Sequence, residues 1–314
     1  MTKDILKVQR TLVAYMAASG MTQSEAAKQI GVSSSVISQF LADVYPGDNE
    51  AVSEKVAQFL ELCDLQSNLS QDVPFCKEVS TTTDILLAAR IAHATREIAL
   101  VYGPAGCGKT TALKHYTERY HGVIYVEATA TIGGTRNILL EVLEALGEPM
   151  KTTADTGKSA ANAMRLILEK VQGTSRLLII DEAQHLQQRA FDALRAINDK
   201  GGIGLVFAGN PSILQRMFGR MKMEYDQLYS RIGIFCELEN NYTAEDITAI
   251  FGEQELDRNC MKHLLAVSHS KGGLRLAAKE YSRAVTNALA LGAPVSFEIL
   301  QCAHEQMSKA GRYT

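Results

Sequence analysis

The chain has 314 residues, of which 46% are hydrophobic and 21% charged. These are the ordinary proportions of a soluble globular protein and exclude a low-complexity, disordered chain. Thirty-two basic against 35 acidic side chains leave a net charge of −3, so the total alone argues for no nucleic-acid partner. No stretch has the length and apolarity of a membrane helix, and the opening MTKDILKVQR has no signal-peptide pattern. A cytoplasmic protein with no membrane partner is therefore expected.

Six scattered cysteines without a CxxC pair predict reduced thiols, and the seven histidines show no metal-ligand spacing along the chain. The charge is unevenly spread. Residues 1–80 hold 6 basic and 10 acidic side chains, 81–234 hold 18 and 15, and 235–314 hold 8 and 10. If DNA is bound, the middle segment is the electrostatically suited surface.

In chain order, residues 1–65 read as a small all-α domain. Val8, Leu12, Val13, Tyr15 and Met16 recur at helical spacing. Thr22 followed by Glu25 is a capping-box pattern, Gly31 supplies a tight turn, and Ser33 caps a helix whose Val36, Ile37, Phe40 and Leu41 face inward. The spacing resembles the helix-turn-helix of phage-repressor-like domains. Polar residues 66–82 read as a linker. A helix near 83–95 precedes the apolar strand IALVYG, and three more apolar strands cover 123–128, 176–183 and 203–210. Helical stretches fall near 109–120, 135–147, 158–172 and 186–199. Strands alternating with helices over 83–242 predict an α/β core with a parallel sheet, and 243–314 reads as an α-helical lid.

Residues 103–110, GPAGCGKT, fit G-x-x-x-x-G-K-[ST] between a predicted strand and helix. Gly103, Pro104, Ala105, Gly106, Cys107, Gly108, Lys109, Thr110 and Thr111 form the predicted nucleotide cradle. Its glycines let backbone N–H groups approach phosphate oxygens, and the following helix adds its positive end. Lys109 reaches the β- and γ-phosphates, while the Thr110 hydroxyl is a Mg²⁺ ligand. In RLLIIDEAQ, Asp181 ends a buried strand, where it can hold the same Mg²⁺, and Glu182 is the candidate base that orients the attacking water. Asn210 ends the next strand with an amide suited to the γ-phosphate and that water. Arg275, in KGGLRLAAKEY, opens a lid helix that could fold back onto the γ-phosphate.

This order of motifs resembles the AAA+ ATPases, and more specifically the phage Mu B family of transposition ATPases. The likeness runs from the helix-turn-helix through YPGDNEAVSEKVAQFLE, the P-loop, IIDEA with His185, GN, LYSRI and GGLR. It implies an AAA+ P-loop NTPase that uses ATP and Mg²⁺. It also implies that Arg231 in LYSRI is a finger inserted into a neighbouring subunit's site, where such arginines contribute about 10³–10⁵ in rate. Cys107 departs from the usual loop and is small enough to be tolerated.

The resemblance further implies ATP-loaded subunits that form a homo-oligomeric helical filament on duplex target DNA. Contact would be largely sequence-independent. Hydrolysis stimulated by a MuA-like transposase would release the DNA. The loop TATIGGTR, with Thr131 and Arg136, is the candidate DNA-facing element, and Lys151, Lys158 and Arg165 form a second basic group. The recognition-like helix SSSVISQFLA has no lysine or arginine, so DNA contact and protein docking both stay open for residues 1–65. A helicase loader or an ATP-sensing helix-turn-helix regulator are the alternatives.

Overall fold

A computed structural model describes residues 3–69, 75–148, 159–218, 232–252 and 256–310. The chain divides into two compact units, Met1–Asp72 and Val73–Thr314.

The first unit holds α1 (Lys3–Ser19), α2 (Gln23–Ile30), α3 (Ser34–Leu41) and α4 (Asn49–Leu69). Thr22 and Glu25 form the reciprocal capping box, and left-handed Gly31 closes α2 by donating its N–H to Ala27 O. Ser33 caps α3. Leu12, Ala26, Ala27, Ile37, Phe40 and Val56 form the core. The buried stripe of α1 is Ile5, Leu12 and Met16, whereas Val13 is 50% exposed. Val13 sits next to Leu12 in sequence and so about 100° away around the helix, off the buried face. Helix α4 runs to Leu69, and α5 (Ser80–Thr95) begins at Ser80. Both therefore extend into the stretch read as a linker. No side chain of the preceding residue caps α5. Instead Asp246, 166 residues away, accepts from Ser80 N at 2.7 Å.

In the second unit α5 is followed by β1 (Ile98–Tyr102), α6 (Lys109–Arg119), β2 (Val123–Glu127), α7 (Thr135–Ala145) and α8 (Ala160–Val171). Next come β3 (Leu177–Asp181), α9 (Gln188–Gly201), β4 (Gly204–Gly209), α10 (Ser212–Phe218) and β5 (Ile232–Glu237). The five strands form one sheet in the order β2-β3-β4-β1-β5, and every pair is parallel. Parallel neighbours need helical crossovers, which cover both faces. The inner strands β1, β3 and β4 are accordingly buried throughout. One face packs on Ile138, Leu143, Ile167 and Leu194, the other on Ile85, Ala89 and Leu113.

Strand β5 was not foreseen. It lies at a sheet edge with partly exposed residues, and Gly233 interrupts the β-branched and aromatic residues that mark a strand. Tyr102 pairs with Gly209 and Glu127 with Asp181. These pairs mark the carboxyl edge of the sheet, where open α/β sheets bind ligands.

Among the described residues four further helices follow: α11 (Ala244–Phe251), α12 (Arg258–Ser268), α13 (Gly273–Leu291) and α14 (Phe297–Ala310). They enclose a separate core that includes Phe251, Leu264, Tyr281 and Leu300. No helix among the described residues is long and apolar enough to cross a membrane.

Candidate nucleotide site

Strand β1 delivers the chain to residue 103, whose N–H donates to Gly209 O at 3.2 Å. The loop then turns through two left-handed positions, Gly106 (φ 87°) and Gly108 (φ 88°), which only glycine adopts without strain. Helix α6 begins directly afterwards at Lys109. Its first N–H groups lack intrahelical partners and face the loop, so loop and helix end together make an anion cradle. Lys109 is buried, and its Nζ donates to Gly103 O at 2.9 Å and Pro104 O at 2.8 Å. An ammonium held by loop carbonyls can exchange them for phosphate oxygens without leaving its place. Cys107 is fully buried, with its Sγ 3.4 Å from Lys109 Nζ.

Asp181, at the end of β3, is one strand removed from β1 because β4 lies between them. The Thr110 hydroxyl, in the first turn of α6, crosses that gap and donates to Asp181 Oδ2 at 2.7 Å. The same oxygen accepts from the Tyr125 hydroxyl at 2.8 Å, and Oδ1 accepts from Glu182 N at 2.8 Å. Three donors thus offset the cost of burying this carboxylate completely. A hydroxyl and a carboxylate side by side are the hard oxygen donors that suit Mg²⁺. Tyr125 escaped the sequence reading because an aromatic in a strand signals only packing. Burial, and secondarily the Asp181 charge, push its phenol above the usual tyrosine value, which keeps it a donor.

Glu182 takes the left-handed conformation (φ 51°), a strain of about 1–2 kcal/mol for a residue with a Cβ. Its carboxylate accepts from Gln184 Nε2, while Gln184 Oε1 accepts from Asn210 N at 3.2 Å. Gln184, also unforeseen, therefore joins the ends of β3 and β4. Asn210 Oδ1 accepts from Ser212 N at 2.9 Å and Ser212 Oγ at 2.6 Å, so it also caps the start of α10.

The lid reaches the same loop. Arg275 N donates to Gly106 O at 3.2 Å, which sets the first turn of α13 against the P-loop. A Cβ on Gly106 would lie 2.1 Å from Gly272 O, so this approach requires glycine. Arg231, Lys151 and Lys158 lie outside the described residues.

Of the remaining DNA-facing candidates, Arg136 is exposed in the first turn of α7 and Thr131 is exposed in the loop after β2. Thr131 Oγ1 lies 2.9 Å from Thr129 Oγ1. That loop is fastened to the turn carrying Glu182: Gln187 N donates to Gly133 O at 2.9 Å, and a Cβ on Gly133 would lie 2.0 Å from His185 O. Arg165 is exposed on α8 and paired with Glu169 on the same helix, an exposed i,i+4 pair that contributes only about 0.3–0.5 kcal/mol.

The profile of the AAA domain family matches residues 92–217. The Mu-like prophage FluMu DNA transposition protein B of Haemophilus influenzae is 30% identical over 272 residues, 85% of this chain and 93% of that protein. The ATP-dependent target DNA activator B of Escherichia phage Mu is 29% identical over 292 residues, 91% and 90% of the two chains. Among solved structures, that of Cdc6p from Pyrobaculum aerophilum superposes with a TM-score of 0.59 at 18% identity. It covers 77% of this chain and 70% of its own. At that identity the likeness concerns the fold alone.

Proposed function

Because the chain belongs to the family of the Mu-like DNA transposition protein B, we propose that it is an ATP-dependent activator of target DNA in transposition. In this reading ATP-loaded copies assemble on duplex DNA, present it to a transposase, and leave on hydrolysis. The observation that carries the ATPase half is the convergence of the P-loop, Thr110, Asp181 and Glu182 on one carboxyl edge of the sheet. The named relatives, similar along most of both chains, carry the transposition half.

The assigned roles follow from chemistry. Loop amides 105–108 and the α6 end bind the phosphates, and Lys109 follows the β- and γ-phosphates. Thr110 and Asp181 hold Mg²⁺, which when bound draws charge off the phosphate oxygens. Glu182 takes up the proton of the attacking water and Asn210 orients that water. Arg275 senses the γ-phosphate from the lid, and Arg231 acts in the site of the next subunit.

The DNA surface in this reading is the loop 129–136 with Thr131 and Arg136, joined by Lys151, Lys158 and Arg165. The fastening of Gly133 to the turn after Glu182 supports it, since DNA seated on the loop then bears directly on the water-activating residue. The first unit, with no cation on α3, serves assembly or docking rather than base reading.

Electron microscopy of the protein with linear duplex and a slowly hydrolysed ATP analogue tests this reading. Nucleotide-dependent filaments without sequence preference are expected. Selective occupation of one operator would point instead to a transcription regulator, and assembly without DNA to a loader. A salt titration of Arg136→Ala combined with Lys158→Ala should give weaker duplex binding with a flatter slope. An unchanged slope would remove this loop from the interface.

A further inference from the structure

The lid core contains a fully buried carboxylate, Glu280, in the middle of α13. Its Oε1 meets His263 Nε2 from α12 and its Oε2 meets His304 Nδ1 from α14, the second at 2.8 Å. Among the described residues no lysine or arginine pairs with it. The ligand-capable atoms of all three residues lie within 4.8 Å of one another. The two histidines are 41 positions apart and on different helices, so the pattern is invisible along the chain.

Two imidazole nitrogens and one carboxylate converging from three helices match the donor set of a zinc-class cation, with Zn–N about 2.0–2.1 Å and Zn–O about 2.0–2.2 Å. Neutral imidazoles would leave the buried anion uncompensated, which is costly, whereas a divalent ion supplies the missing charge. Side-chain rotations that open the two direct hydrogen bonds would bring the three donors around one ion. His304, its side chain 45% exposed, leaves the fourth position to water.

We propose that His263, Glu280 and His304 bind one Zn²⁺-class ion that staples α12, α13 and α14 together. On binding, the proton of His263 Nε2 moves to Nδ1 and that of His304 Nδ1 to Nε2, and any further imidazolium proton is released to solvent. The staple stiffens α13, the helix whose first turn carries Arg275 to the P-loop, and it needs no nucleotide.

The test uses the full chain, freed of metal by chelation and kept free of nucleotide, titrated with Co²⁺ and then Zn²⁺. One Co²⁺ per chain is expected, with visible d–d bands, no thiolate charge-transfer band, and displacement by Zn²⁺. Zn²⁺ should also raise the melting temperature. His304→Asn, at a half-exposed position that tolerates an amide, should keep the fold and weaken Co²⁺ binding by roughly 10–100-fold or more. His121→Asn, at an exposed position outside the cluster, should leave binding unchanged. No Co²⁺ spectrum, a spectrum unaltered in His304→Asn, or one abolished only by Asp181→Asn would overturn the proposal.

Discussion

The contact between the lid and the P-loop can be isolated by comparing two neighbouring glycines. Gly106 and Gly108 have nearly the same left-handed φ, 87° and 88°. An alanine at either costs about 1–2 kcal/mol of backbone strain. Their surroundings differ completely: nothing lies within 4 Å of a Cβ at 108, whereas a Cβ at 106 would meet Gly272 O at 2.1 Å and Arg275 Cβ at 3.2 Å. The first obstacle is backbone, so no rotamer relieves it, and the start of α13 must retreat by more than ~1 Å to reach ordinary contact. That retreat breaks the bond from Arg275 N to Gly106 O, a net loss of about 0.5–1.5 kcal/mol.

Hydrogen exchange of the nucleotide-free protein reads this difference directly. Gly106→Ala should speed exchange over residues 273–277 by roughly 2- to 12-fold relative to Gly108→Ala, if the lost bond governs local opening. Gly106→Ala should also lose the part of ATP hydrolysis that depends on Arg275. Equal exchange in both variants would refute the inference that the lid rests on the loop through this glycine.

Glu182→Gln keeps the shape and a partner for Gln184, so ATP should still bind while phosphate release falls by about 10²–10⁴-fold; a drop below tenfold would rule out Glu182 as the base. Tyr125→Phe removes one of three donors to buried Asp181 and should destabilise the second unit by about 1–2 kcal/mol in denaturant unfolding, with a weaker Mg²⁺ dependence of hydrolysis. Asp246 accepts from Ser80 N and Oγ as well as from Thr243. Asp246→Ala should therefore loosen α11 from α5 by about 2–4 kcal/mol, seen as a lower melting temperature. Burial alone would raise the pKa of Asp246, but the donors from Thr243 and Ser80 outweigh it and hold the carboxyl below its ordinary 3.8. A depressed folded pKa adds stability above pH 3.8 that disappears as pH falls through the folded value. The acid limb of the stability curve should thus flatten in Asp246→Ala, and an unchanged limb would assign the loss to other groups.

The features that local chemistry dictates were legible in the chain. A capping box, a P-loop between a strand and a helix, and apolar runs long enough for buried strands are each written in adjacent residues. They gave the first three helices, four of the five strands and the glycine-rich turn between β1 and α6. Strand β5 stayed hidden because Gly233 interrupts its β-branched and aromatic residues, whereas the other edge strand, β2, keeps them. Tyr125 and Gln184 stayed hidden because their roles depend on which strands are neighbours, and the order β2-β3-β4-β1-β5 is a property of packing. The start of α5 is fixed by Asp246 from the far end of the unit rather than by a residue beside it. The same holds for the lid. Sequence spacing placed Arg275 at the head of a helix, but only the tertiary structure set that helix against Gly106 and gathered His263, Glu280 and His304 into one cluster. Contacts between residues far apart in the chain carry no periodic signal, since they are selected by the close packing of whole elements.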